Sequence, residues 1–199
     1  SEIKNISSTN NSTQDTLCSN INDLLKKMEN SSSKGKISEN LLFNVLHSLY
    51  PTAQIEFVGT TKETGDIILK RRDKPVILFE NKNYDRNVGQ EEVKKFLRDI
   101  ENKNCSGIML AQHYGIANKN NYEIELHNNN VLTYLHNVEY DADKIKSAVD
   151  IIDYFKSCLN ELEVGSGEHI NISKEFLGDI NKEYQNFINN KLTHIKTIK

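Results

Sequence analysis

Two apolar runs, GDIILK at 65–70 and PVILFE at 75–80, stand on either side of RRDK and constrain the fold more than any other feature of the chain. Short runs rich in Ile, Val, Leu and Phe and bounded by charge read as buried strands, and the polar turn between them makes an antiparallel hairpin. Strand side chains alternate faces, so Ile77 and Phe79 point one way while Glu80 and Lys82 point the other. Asp66 and Glu80 are about equidistant from the turn centre, which sets them roughly opposite each other. Two carboxylates therefore meet at the end of an apolar sheet, with an ammonium beside them.

Around this hairpin the apolar spacing switches between strand and helix periods. Ile37, Leu41, Leu42, Val45, Leu46 and Leu49 predict a helix, with Ser38 near its start, Glu39 in its first turn and Pro51 just past its end. QIEFV at 54–58 reads as a strand, and GQEEVKKFLRDIENK at 89–103 as a helix through Val93, Phe96, Leu97 and Ile100. SGIMLA at 106–111 is another buried strand, and 122–135 a second hairpin turning at Asn128 to Asn130. Helix, three strands, helix, strand and hairpin predict an α/β fold with a mixed central sheet flanked by helices.

The flanks differ in composition. Residues 1–33 combine a Ser/Asn-rich lead with an amphipathic helix through Leu17, Ile21, Leu24, Leu25 and Met28, which SSSKG at 31–35 is expected to end. Residues 34–140 hold the core. Residues 141–199 predict a helical extension, one helix over about 141–162 and another over about 173–195, separated by VGSGEH. Ser1 stands where a methionine would begin an unprocessed chain, as expected of a processed chain or a piece of a larger protein.

Composition excludes several classes. Cys18, Cys105 and Cys158 are odd in number and lack ligand spacing, which supports neither a disulfide framework nor a zinc site. No apolar run nears the roughly 18–20 residues that cross a bilayer, and the polar N-terminus lacks a signal-peptide pattern, so a soluble, intracellular domain is expected. The formal charge of −3 and the pI near 6.1 give no overall basic surface for nucleic acid. Lys70, Arg71, Arg72 and Lys74 at the hairpin tip offer contacts to phosphates, but the favoured reading is an ordinary solvated turn.

The chemistry rests on the carboxylate pair, which needs a compensating cation. Magnesium suits it, since that ion takes hard oxygen ligands, accepts one or two carboxylates and keeps several waters. Asp66, Glu80 and the backbone carbonyl of Asn81 form the candidate ligand set, with Glu39 expected to approach the same sheet edge and Mn²⁺ as the alternative ion. Such a site can set water against a phosphodiester, with Lys82 orienting the water or stabilising developing negative charge.

TGD at 64–66 and FENK at 79–82 resemble the split Asp…Glu-x-Lys motif of the PD-(D/E)XK nuclease superfamily. The segment 34–116, with KGKISE leading a helix, then GDIIL, VILFENKNY, a helix from Gln90 and SGIML, is similar to the restriction-endonuclease-like core of Mrr-type and Holliday-junction-resolvase-type enzymes. The resemblance implies metal ligands at Asp66 and Glu80, a catalytic lysine at Lys82, a first-helix glycine and glutamate at Gly35 and Glu39, and an accessory glutamine at Gln90. Gly65 stands where the family often has proline. It further implies a metal-dependent DNA nuclease, with a homodimer as a possible assembly. The alternative is a catalytically inactive nucleic-acid-binding or interaction module that keeps the fold. Glu-x-Lys triplets also occur at Glu2/Lys4, Glu92/Lys94 and Glu101/Lys103, so the triplet alone carries little.

Overall fold

A computed structural model describes residues 31–58 and 66–165, together with the helical positions Asp179, Lys182, Glu183 and Asn186. The chain divides into two compact units, Ser1–Ser38 and Glu39–Lys199. The helix expected at 17–28 lies outside the described residues, as does the rest of the one expected at 173–195.

Helix α1 (Ser31–Leu49) is followed by strands β1 (Gln54–Phe57), β2 (Ile67–Lys70) and β3 (Ile77–Lys82), helix α2 (Gln90–Lys103), strands β4 (Ser106–Ala111), β5 (Glu123–His127) and β6 (Asn130–Leu135), and helix α3 (Ala142–Gly165). The strands form one mixed sheet in the order β1-β2-β3-β4-β6-β5. β1, β2 and β3 pair antiparallel, β3, β4 and β6 pair parallel, and β5 closes the far edge antiparallel to β6.

Alternation along the strands builds a core on each face. Ile67, Leu69, Ile77, Phe79, Ile108 and Leu110 pack with Leu42 and Leu46 of α1 and with Ile145, Val149 and Ile152 of α3. On the other face Ile68, Leu78, Met109, Leu132 and Tyr134 pack with Val93, Phe96 and Ile100 of α2. At Gly107 of β4 an added Cβ would collide with Ile100 and lie 2.7 Å from Phe96 Cζ, so the missing side chain is what lets α2 sit this close to the sheet.

Several local expectations need correction. SSSKG does not end a helix: residues 31–35 are helical and open α1. Ser and Gly cost at most about 1 kcal/mol each in a helix, which the apolar stripe further along can carry. Glu39 consequently lies beyond the first turn, where the helix dipole no longer accounts for it. β3 runs from Ile77 to Lys82, and Pro75, which has no N–H to give a ladder, lies outside it. Asn128 and Asn129, both at positive φ, make the tight turn between β5 and β6. Asp141 caps α3, its Oδ1 accepting from the N–H groups of Asp143 (2.8 Å) and Lys144 (3.1 Å).

Nor is the basic turn after β2 merely solvated. Arg71 is nearly buried and donates from both guanidinium ends to Asp153 of α3, at 2.8 and 2.6 Å, while its guanidinium lies 5.1 Å from the centre of the Tyr50 ring. One side chain thus ties the β2–β3 hairpin to α3 and to the residue that follows α1. Removing one partner of a nearly buried pair leaves the other charge uncompensated, so Arg71→Ala is expected to cost about 3 kcal/mol, or roughly 10 °C in Tm. Lysine lacks the planar fork, so Arg71→Lys should recover only part of that loss in a thermal melt.

Candidate active site

β2 and β3 pair Ile67 with Phe79, Ile68 with Leu78 and Leu69 with Ile77. One further step in that register brings Asp66 across from Glu80. Asp66 itself sits in a bend just before β2 and is tied on both sides: its N–H donates to Phe79 O (3.1 Å), and its carbonyl accepts from the Val58 N–H (3.0 Å). Its Oδ2 accepts from the Asn81 N–H at 2.6 Å. The carboxylate is therefore fixed by the backbone of the strand that carries the other charged groups.

Glu80 has no solvent exposure. Its Oε1 meets two ammonium groups, Lys82 Nζ at 2.7 Å and Lys95 Nζ at 3.3 Å, while its Oε2 is buried without a hydrogen-bond partner. Lys82 also lies 2.7 Å from Glu92 Oε2, and the Tyr84 hydroxyl donates to Glu92 Oε1 at 3.0 Å. A connected chain runs Tyr84–Glu92–Lys82–Glu80–Lys95, and Asp66 adds a further negative charge beside it. Behind the strand, Gln112 Nε2 donates to Asn81 Oδ1 (2.6 Å) while Gln112 Oε1 accepts from the Tyr140 N–H (2.9 Å), bracing β3 where its charged residues lie.

Burial, then the neighbouring charge of Glu80 and that of Glu39, push Asp66 above the usual carboxylate range, against the opposing pull of the Asn81 N–H and Lys82. Burial alone would lower Lys82, but the charges and hydrogen bonds of Glu80 and Glu92 outweigh it and hold the ammonium above its ordinary value. Glu92 is likewise raised by burial, yet its bonds to Lys82 and Tyr84 bring it below the usual range. Lys82 thus stays protonated at neutral pH, and Asp66 carries the electrostatic strain.

Two features fit a hard cation: the unpartnered buried oxygen of Glu80, and a carboxylate opposite it whose charge is disfavoured as the chain stands. The Asn81 carbonyl lies on the same side of β3 as Phe79 O and Asn81 N, both of which turn toward Asp66. Among the described residues no group of three or more His, Cys, Asp or Glu side chains gathers as a ready metal cage. Magnesium needs only one or two carboxylates and keeps its waters.

Asp66, Glu80, Lys82 and the Asn81 backbone come together. Glu39 is near enough for its charge to act on Asp66. Gln90 opens α2 in an exposed position, and from that first turn Glu92 is the side chain that contacts Lys82. Glu92 and Lys95 are the groups that sequence reasoning missed. Their spacing, three apart on a helix that follows a charged strand end, is the available signal.

No known protein family's sequence profile matches the chain, and no curated protein is significantly similar to it.

Asp66 holds its proton more tightly in the folded chain than in the unfolded one. Its contribution to stability is therefore present below the ordinary carboxylate range and is lost as pH rises through the raised value. Asp66→Asn keeps an acceptor for the Asn81 N–H and removes the charge. In metal-free buffer it should melt a few degrees above the parent at pH 8, with the difference vanishing near pH 4. A lower Tm at pH 8 would contradict the placement of Asp66 against Glu80.

Proposed function

We propose that this chain is a divalent-metal-dependent nuclease hydrolysing DNA phosphodiester bonds, with the restriction-endonuclease-like fold of the PD-(D/E)XK superfamily. The observation that carries this is Glu80: a fully buried carboxylate with one unpartnered oxygen, set across from Asp66 and bonded to Lys82. The order α1, three antiparallel strands, α2 and a parallel strand supports the fold assignment.

Asp66, Glu80 and the Asn81 carbonyl would hold Mg²⁺ or Mn²⁺, with Glu39 at the same edge. When bound, the ion polarises the phosphoryl group and offsets charge on the leaving oxygen. Lys82 has three N–H donors, of which Glu80 and Glu92 engage two, so the third is left to orient the attacking water. Because its ammonium is held protonated, Lys82 serves as donor and positive charge rather than as a base. Glu92 and Tyr84 keep it in place.

A second reading has its own observation: the chain from Tyr84 to Lys95 is also a closed ion-pair lock, as a non-catalytic nucleic-acid-binding or interaction module would need. Cleavage of supercoiled, linear and branched DNA in Mg²⁺, Mn²⁺ or EDTA separates the two. Metal-dependent cutting that falls at least about 100-fold in both Asp66→Ala and Lys82→Ala supports the nuclease. A folded wild-type chain that binds DNA and cuts none of these substrates supports the module. A homodimer formed through the C-terminal helices belongs to the same proposal, and a single-chain mass by light scattering at high concentration overturns it.

A further inference from the structure

Two ammonium groups reach Glu80 Oε1, and their surroundings differ. Lys82 lies 2.7 Å from Glu80 and from Glu92, its Nζ is 5.8 Å from the Tyr84 ring centre, and its side chain is only 10% exposed. Lys95 approaches at 3.3 Å, its side chain is 35% exposed, and Glu80 is its one ion-pair partner among the described residues. Moving Lys82 would uncover two carboxylates. Moving Lys95 leaves Glu80 still paired with Lys82, and of the two contacts that of Lys95 is the longer and the one whose side chain is the more exposed.

Resting on the nuclease reading above, we propose that Lys95 is the substrate-facing cation of this site, gripping a non-bridging oxygen of the scissile phosphate. On binding, Lys95 Nζ exchanges Glu80 Oε1 for the phosphate oxygen, a charge-assisted partner offered by any nucleic-acid backbone regardless of base. Lys82 remains behind it as the compensating cation of Glu80. Lys95 lies three residues after Glu92, on the same face of α2, so the helix delivers both the group that holds Lys82 and the group that meets substrate. The neighbouring Lys94 is directed to Glu91 at 3.5 Å and is largely exposed.

The test measures anisotropy of a fluorescein-labelled DNA duplex across a salt series with Ca²⁺, alongside cleavage with Mg²⁺. It compares wild type with Lys95→Gln, Lys95→Arg, Lys94→Gln and Lys82→Gln. Losing one phosphate contact should flatten the slope of log affinity against log salt by about one in Lys95→Gln and weaken binding about tenfold. Arginine should restore the slope, Lys94→Gln should leave it unchanged, and Lys82→Gln should lose cutting. Wild-type cutting with an unaltered slope in Lys95→Gln overturns the assignment and leaves the nuclease standing. A slope that depends on Lys95 in a chain that never cuts keeps the phosphate grip and overturns the nuclease. A wild type that binds no DNA overturns both.

Discussion

Glu80 stands on a central strand with no solvent exposure. Desolvating an ion costs several kcal/mol unless partners replace the lost hydration, and here they come from different elements. Lys82 is on the same strand, Lys95 is on α2, and Glu92 of α2 holds Lys82 from its other side. Neither β3 nor α2 can shift along the other without exposing an unpaired charge to an apolar interior. The packing beneath is as close: Phe96 and Ile100 fill the space over β4 that a side chain at Gly107 would take. Apolar contact sets the distance between helix and sheet, and the ion pairs set how the helix is placed along it.

Asp66 works against this arrangement. Its carboxylate is held by the Asn81 N–H beside a charge of the same sign, and its raised pKa records the cost. A sequence under selection for stability alone would place a neutral residue there, so a polar group that strains its own site is better explained by what the site does. Lys82 is the converse, an ammonium so well paired that its proton is secured. A carboxylate whose charge is disfavoured and an ammonium whose charge is secured thus lie within one network, each influenced by the same Glu80.

How much of this was readable from sequence depends on which interactions are local. The hairpin could be read because apolar runs either side of one turn fix the register, and the register fixes Asp66 against Glu80. Glu80 and Lys82 could be read because residues two apart on a strand share a face. On a helix they do not, so the triplet Glu92/Lys94 misleads: Lys94 pairs with Glu91, and Glu92 turns inward to Lys82 and Tyr84. Recognising Glu92 required the rotation of α2 about its axis, which long-range packing sets. The environment of Glu39 is hard to read for a simpler reason, since Ser and Gly at 31–35 have the composition of a helix end and are instead helical. Arg71 was hidden because its partner Asp153 lies far along the chain on α3.

A chain of net charge −3 can meet a polyanion only through cations placed locally, and counting basic residues does not locate them. The densest basic run, from Lys70 to Lys74, is largely engaged: Lys70 with Glu56 at 3.0 Å, Arg71 and Lys74 with Asp153. Arg71 is the strongest charge of that group by geometry and the least available, because releasing it would detach the hairpin from α3. What distinguishes a cation that recognises substrate is that its resting partner can be given up without loss elsewhere. Glu80, paired twice through one oxygen, can release one ammonium and remain compensated, and it is on that redundancy that the proposed phosphate grip of Lys95 rests.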